Sequence, residues 1–210
     1  MNSHIKHHGT VVGIDVGGIV KGYHAVAING QVILGTKAST NPADILAFCL
    51  SHQANVVAVD APCGWSCNGS SREAERGLLR KRVSCFSTPS AEKAQKSSFY
   101  GWVFNGAALY EKLHNHYALF DGNKTADMCC IETFPHAVVC ALAGSVVTAK
   151  PKTVTRRQAL ESQNYKTDLL NNVDFLDAAL CAISANYFSK NNFQAFGNNE
   201  EGYIVIPNGI

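Results

Sequence analysis

The sequence has no long hydrophobic run, no strong net charge and few charged residues. No apolar stretch approaches the roughly 18 residues that a membrane-spanning helix needs, so we expect no membrane contact. The N-terminal residues are polar and lack the apolar core of a signal peptide, which predicts a cytoplasmic protein. The net charge of +2 is too small to indicate, by itself, a protein that binds nucleic acid. Hydrophobic residues make up 46% of the 210 residues, which is enough to form a core.

The eight cysteines lack the spacing of a metal knuckle or a disulfide framework. Cys63 and Cys67 form a CxxxC pair, but no second pair at ligand spacing accompanies them, which argues against a zinc site. Since no export signal is present, we expect reduced thiols, most of them in apolar segments.

Strand-like and helix-like segments alternate along the chain. Asn29-Gly30 joins two apolar runs, which is a strong hairpin signal. Two later runs, 55–60 and 128–132, are apolar until a final acid, as in strands buried on both faces of a parallel sheet. Strands are predicted at 10–15, 22–28, 31–37, 55–60, 128–132 and 203–207, and helices from 42, at 70–82, 99–116, 135–142, 153–163 and 173–188.

This order predicts an α/β fold, with an antiparallel meander followed by parallel strands and with helices on both faces of the mixed sheet. We expect a flexible tail at 1–9 and a single domain at 10–210. Within that domain, a segment at about 61–98 that is rich in Gly, Pro, Ser and basic residues looks like an insertion beside the sheet.

Three of the predicted strands end in an acid: Asp15, Asp60 and Glu132. Ligands of open α/β sheets bind outside the carboxyl ends of the strands, so neighbouring strands would bring these carboxylates together. Asp174 and Asp177 are spaced i, i+3 near the start of a long helix and therefore share one helix surface. Any single acid here has another explanation, because an Asp after a strand is often a turn or cap residue.

A cluster of carboxylates raises the pKa of each member unless a cation is present. Mg²⁺ prefers oxygen ligands and is commonly held by carboxylates together with substrate phosphates. The pattern therefore predicts a Mg²⁺ or Mn²⁺ site, with Asp15, Asp60, Glu132, Asp174 and Asp177 as ligands. Of these, the catalytic set would be Asp15, Asp60, Glu132 and Asp177.

Basic residues are concentrated in two segments that could contact phosphates. A solvated helix face explains the first segment equally well. Trp65 and Trp102 could stack on bases, although packing in the core is the simpler explanation. The candidate nucleic-acid-binding residues are Arg72, Arg76, Arg80, Lys81 and Arg82 in the first segment and Arg156 and Arg157 in the second.

Several motifs in this order resemble a family of predicted nucleases of RNase H fold, the domain of unknown function 429. The resemblance covers about residues 11–207. It rests on VGIDVGG, KGYHAVAI, VAVDAPCGW, SREAERGLLRKR, CFSTPS, IETFPHAV and VDFLDAAL.

The resemblance implies an RNase H-like domain with a mixed five-stranded sheet, and a more distant likeness to Holliday-junction resolvases. In those enzymes an acid ends the first and the fourth strand and a D-x-x-D-A helix supplies the rest; Asp15, Asp60 and the segment 174–178 match this pattern. Glu132 is an additional acid typical of the family. Resolvases are dimeric and strongly basic, whereas this chain is nearly neutral, so junction cleavage does not follow and the oligomeric state stays open, a dimer included.

Three functions are compatible with these patterns. The first is a metal-dependent nuclease that acts on DNA or RNA. The second is a relative of actin-like ATPases and sugar kinases, because IDVGG resembles their first phosphate loop; that class needs two such domains, and the chain shows one. The third is a non-catalytic RNase H-like scaffold that binds a partner or a nucleotide. The presence of every acid of the site favours the first.

Overall fold

The computed structural model of the chain describes residues 9–123 and 128–210. Most of the predicted tail, 1–8, lies outside the described residues. The strands are β1 Val11–Val16, β2 Tyr23–Asn29, β3 Val32–Ser39, β4 Val56–Asp60, β5 Ala118–Leu119, β6 Cys129–Glu132, β7 Phe193–Asn198 and β8 Gly202–Pro207. The helices are α1 Pro42–Ser51, α2 Glu73–Arg80, α3 Ala91–Ala94, α4 Gly101–Leu113, α5 Pro135–Ala143, α6 Lys152–Ser162 and α7 Val173–Ser189, with a 3₁₀ turn at Ser98–Tyr100.

The strands form one mixed sheet in the order β3-β2-β1-β4-β6-β8-β7, and β5 pairs with β6 outside this path. β1, β2 and β3 are the predicted antiparallel meander, whereas β4 runs parallel to both β1 and β6. The predicted α/β fold, with an antiparallel meander followed by parallel strands in one mixed sheet, is therefore confirmed. The sheet has eight strands in the described residues rather than five, because β8 extends it beside β6, β7 pairs antiparallel with β8, and β5 adds a short pairing.

Local signals placed most helix ends correctly. The side chain of Asn41 accepts a hydrogen bond from the N–H of Ala43 and caps α1, which begins at Pro42 as predicted. The N-cap of α2 is Arg72, and the carboxylate of Glu75 accepts a hydrogen bond from the N–H of Arg72. The status of 61–98 as an insertion stays a prediction; this segment contains α2, which packs against β7 and β8.

Alternation along the strands divides the core between the two faces of the sheet. On the face that we call the α7 face, Val11, Val56 and Ala58 pack with α5, α6 and α7. On the face that we call the α4 face, Val12, Val57 and other alternate residues pack with α1 and α4. These two faces decide where each strand-end acid points.

Gly13 lets α7 approach β1 closely. A Cβ atom at Gly13 would overlap the carbonyl oxygen of Ala178 and the backbone nitrogen of Ala182. Backbone atoms of a packed helix cannot move aside as a flexible side chain can, so α7 itself would have to shift. The close contact fixes the distance of α7 from β1.

We therefore expect Gly13→Ala to destabilise the protein by about 3 kcal/mol, the upper end of the usual cost of overpacking. Urea unfolding measures the difference. Gly18→Ala is the matched control, since a Cβ there meets nothing within 4 Å. An equal effect of the two substitutions would show that α7 does not depend on this contact.

Candidate metal centre

Asp15 and Asp60 lie side by side at the carboxyl ends of neighbouring parallel strands. They are register partners in the β1–β4 pairing. Asp15 follows Val11 and Gly13 in the alternation of β1, and Asp60 follows Val56 and Ala58 in β4, so both side chains belong to the α7 face. The sequence prediction that these two strand ends meet is confirmed by the strand pairing.

The first turn and a half of α7 lies over this strand end. Asn172 caps the helix, because its side chain accepts from the N–H of Phe175. A carboxylate oxygen of Asp174 lies within 4.8 Å of one of Asp15. Asp177 is close enough for its charge to raise the pKa of Asp15. Asp177 is almost completely buried and Asp174 partly so.

His24 is a member of the cluster that the sequence analysis did not identify. It is the register partner of Asp15 in the β1–β2 hairpin. Ligand atoms of Asp15, His24 and Asp174 all lie within 4.8 Å of one another, an arrangement that could hold a metal ion. The reversal at 17–22 that joins β1 to β2 contained the necessary signal, because counting back along both strands from it pairs Val16 with Tyr23 and then Asp15 with His24.

Lys21 and Lys152 place ammonium groups at the edge of the acids. Lys21 Nζ lies 2.6 Å from Asp174 Oδ1 and 3.8 Å from Asp15 Oδ2. Lys152 Nζ lies 3.0 Å from Asp177 Oδ2. About half of each lysine side chain is exposed, so both amines can reach solvent or a ligand. The sequence analysis assigned no role to either lysine, although Lys21 begins the KGYHAVAI motif.

Arg156 fixes the orientation of Asp177. Its Nε donates to Asp177 Oδ1 at 2.9 Å, and both side chains are buried. Its neighbour Arg157 turns away and donates to the carbonyl oxygens of Thr167 and Leu170. Arg156 therefore belongs to the acid cluster itself, whereas Arg157 stabilises the loop before α7. Their predicted contacts with nucleic acid stay untested.

The carboxylates repel one another. Burial, followed by the charges of Asp177 and Asp174, raises the pKa of Asp15 to about 7, against the opposing effect of Lys21. The pKa of Asp60 also lies well above its ordinary value, because of burial and then the charges of Asp15 and Asp177. Asp15 Oδ2 is buried and has no hydrogen-bond partner in the described residues. The negative charges of these acids can therefore be neutralised either by binding protons or by binding a cation.

The raised pKa of Asp15 predicts a pH dependence of metal affinity. A proton must leave Asp15 before a cation binds, so Mn²⁺ affinity should rise as the pH increases towards about 7. In the metal-free protein, folding stability should change in the opposite direction. The folded state keeps this proton up to about pH 7, whereas the unfolded chain releases it near pH 3.8, so stability should fall as the pH rises from about 4 to 7. Calorimetric titration with Mn²⁺ at several pH values measures the first effect, and Asp15→Asn should flatten both profiles.

Glu132 does not join this row of acids. It pairs with Val59 rather than with Asp60, so the alternation of β6 directs it to the α4 face. Its two oxygens accept from the guanidinium of Arg72, and Oε2 also accepts from the N–H of Cys63 at 2.8 Å. The expected row of three strand-end carboxylates therefore contains two, and the predicted ligand and catalytic roles of Glu132 remain untested.

The basic residues of the first segment differ in how accessible they are. Arg72 is buried, and its guanidinium donates to Glu132, Glu75 and the carbonyl oxygen of Glu201. Arg76 and Arg80 both pair with Glu73, and Lys81 donates to the carbonyl oxygen of Ile210. Arg82 is exposed at the end of this segment. Their predicted phosphate contacts are untested, and the burial of Arg72 leaves its guanidinium no access to a phosphate in this conformation.

No curated protein matched the chain. A structure described as Thermus thermophilus RuvC aligns with 87% of this chain and 96% of its own, at 16% sequence identity and a TM-score of 0.49. Among the described residues, no helix is long and apolar enough to cross a membrane. The family model described as "Protein of unknown function (DUF429)" matches residues 13–202, nearly the whole chain, and the protein therefore belongs to that family.

Proposed function

We propose that the protein is a metal-dependent phosphodiesterase that hydrolyses nucleic acid. Asp15, Asp60, Asp174 and Asp177 would hold Mg²⁺ or Mn²⁺, with His24 within reach. The observation that carries the proposal is the register pairing of Asp15 with Asp60 beneath the two acids of α7. Glu132 is not included, because Arg72 and Cys63 already engage its oxygens.

The residues present fit a hard divalent cation. Carboxylate oxygens are the ligands that Mg²⁺ and Mn²⁺ prefer. A positive ion would offset the burial and the repulsion that raise the pKa values of Asp15 and Asp60. It would also give a ligand contact to Oδ2 of Asp15, which accepts no hydrogen bond from the described residues. His24 contributes a nitrogen, which Mg²⁺ accepts less readily than a transition metal does. We therefore expect Mn²⁺ to support activity at least as well as Mg²⁺.

When bound, such an ion stabilises the charge that develops on a phosphoryl group during hydrolysis. The protein's own residues would orient the site and the substrate. Arg156 holds Asp177 in one orientation through a buried, charge-assisted hydrogen bond. The half-exposed ammonium groups of Lys21 and Lys152 stand at the edge of the cluster, where they would contact the phosphates on either side of the cleaved bond.

A panel of labelled nucleic acids tests the proposal. Single-stranded, double-stranded and branched DNA and RNA are incubated with the protein in Mg²⁺, Mn²⁺ or EDTA. We expect cleavage of at least one substrate in Mn²⁺ and none in EDTA. Binding of Mn²⁺ without cleavage of any member of the panel would contradict the proposed activity, and stabilisation by ATP in that case would favour a nucleotide-binding function.

A further inference from the structure

A cleft lined by aromatic side chains lies directly beside the acid cluster. Asp60 belongs to both, since it also lines this cleft. The side chains that matter for its chemistry are Phe86, Thr88, Trp102, Glu132 and Phe134. We call it the aromatic cleft. It is a small cleft, with a volume of about 60 Å³.

The walls of the aromatic cleft offer apolar rings from three separate segments. Phe86 follows α2, Trp102 lies in the first turn of α4, and Phe134 precedes α5. Phe86 packs edge-on against Trp102, with ring centroids 5.0 Å apart. All three side chains are half-buried, so parts of their rings stay open to the cleft. Such rings form a stacking surface for a flat ligand.

The charges around the aromatic cleft disfavour an anion. The carboxylates of Asp60, Glu75 and Glu132 line it, and Arg72 is the one cation among the lining residues. Arg72 already donates to both glutamates. A phosphate would meet an excess of negative charge here, whereas a neutral ring with N–H donors would be accepted.

Thr88 supplies a free polar group in the aromatic cleft. Its side chain is fully buried, and Oγ1 has no hydrogen-bond partner in the part of the chain that the structure describes. The backbone N–H of Thr88 donates to Glu75, which holds the residue in place. An unmade hydrogen bond of a buried hydroxyl is costly, and a ligand in the cleft would satisfy it. A hydroxyl both donates and accepts, so it can pair with the edge of any base.

We propose that the aromatic cleft binds one unstacked nucleobase of the substrate, in the nucleotide next to the phosphate held at Asp15 and Asp60. The inference rests on the proposed function for the identity of the substrate. It explains why flat apolar walls, a hydroxyl without a hydrogen-bond partner and several carboxylates occur together in a cleft that shares Asp60 with the acid cluster. The base would stack on Trp102 and Phe134 and pair with Thr88.

Saturation-transfer NMR with single deoxynucleosides in EDTA tests the cleft without metal or catalysis. We expect saturation to reach the protons of the base more than those of the sugar. Thr88→Val and Trp102→Leu should each weaken binding about tenfold, within the range measured for base–aromatic stacking. Trp65→Leu is the matched control, because Trp65 packs on Phe104 and does not line the cleft. Thermal denaturation checks that each variant folds; Thr88→Val removes an unpartnered hydroxyl and should not lower stability.

The outcomes separate this inference from the proposed function. If the protein cleaves nucleic acid in Mn²⁺ but no saturation is transferred to the protons of any base, the cleft is not a base site, although the nuclease activity is supported. The same conclusion follows if all variants bind nucleosides equally well. Stronger transfer to deoxyribose 5-phosphate than to nucleosides would also overturn it. Base binding that depends on Thr88, in a protein that cleaves nothing, would support the cleft while refuting the nuclease. An abasic nucleotide beside the cleaved bond should raise KM about tenfold.

Discussion

Asp60→Asn is expected to lower metal-dependent cleavage by about 10³-fold or more while raising the thermal stability of the metal-free protein. The first effect follows because the amide is a poorer ligand, and a bound ion contributes several kcal/mol to phosphoryl transfer. The second effect follows because Asp60 is buried and lies near the like charges of Asp15 and Asp177, and the substitution removes the cost of burying a negative charge there. Cleavage assays and differential scanning calorimetry measure the two effects.

An exposed acid provides the control for this substitution. Asp168→Asn changes an exposed aspartate outside the acid cluster and should affect neither cleavage nor stability. Opposite signs for activity and stability would be difficult to explain by misfolding, since a misfolded variant loses both. Cleavage by Asp60→Asn at the rate of the unchanged protein would refute the assignment of Asp60 as a ligand.

Arg72→Met is expected to destabilise the protein by about 3–5 kcal/mol, the usual cost of leaving a buried charge without its partner. Arg72 is almost fully buried, and its guanidinium neutralises Glu132 and Glu75. Without it both carboxylates would remain in the core with no positive charge beside them. Urea unfolding near pH 7 measures the loss.

Two further variants make this test specific. Arg80→Met removes a mostly exposed arginine that pairs with Glu73, and it should cost less than 1 kcal/mol. Adding Glu132→Gln to Arg72→Met should recover part of the lost stability, because the uncompensated charge is gone. Glu132→Gln alone should leave Mn²⁺ affinity unchanged; a marked loss of affinity would return Glu132 to the set of metal ligands.

Periodicity in the sequence was sufficient for the main elements of the fold. The meander, the two buried parallel strands and α7 are local patterns, since each is formed by residues close together in the chain. The missed strands lack such patterns. β5 has two residues, and β7 is an edge strand whose pairing with β8 determines its conformation. Strands of this kind depend on their neighbours more than on their own composition.

The sequence also indicated the centre of the candidate site. Asp15 and Asp60 were recognisable because apolar strands end at them, and Asp174 and Asp177 because they share one surface of a helix. Their convergence follows from the general placement of ligands at the carboxyl ends of parallel strands. The basic residues were harder to assign, because Arg72 and Arg80 look alike in the sequence although one is buried and the other exposed.

By itself, then, the sequence determined which strands and helices form and which carboxylates stand at strand ends. Tertiary structure decided which of those carboxylates face each other. Glu132 lies one residue out of step with Asp60, and a shift of one residue in a strand turns a side chain to the opposite face of the sheet. The surroundings of Asp15 were decided in the same way, since strand register brings His24 opposite it and packing of the helices brings Lys152 and Asp177 near it from far along the chain.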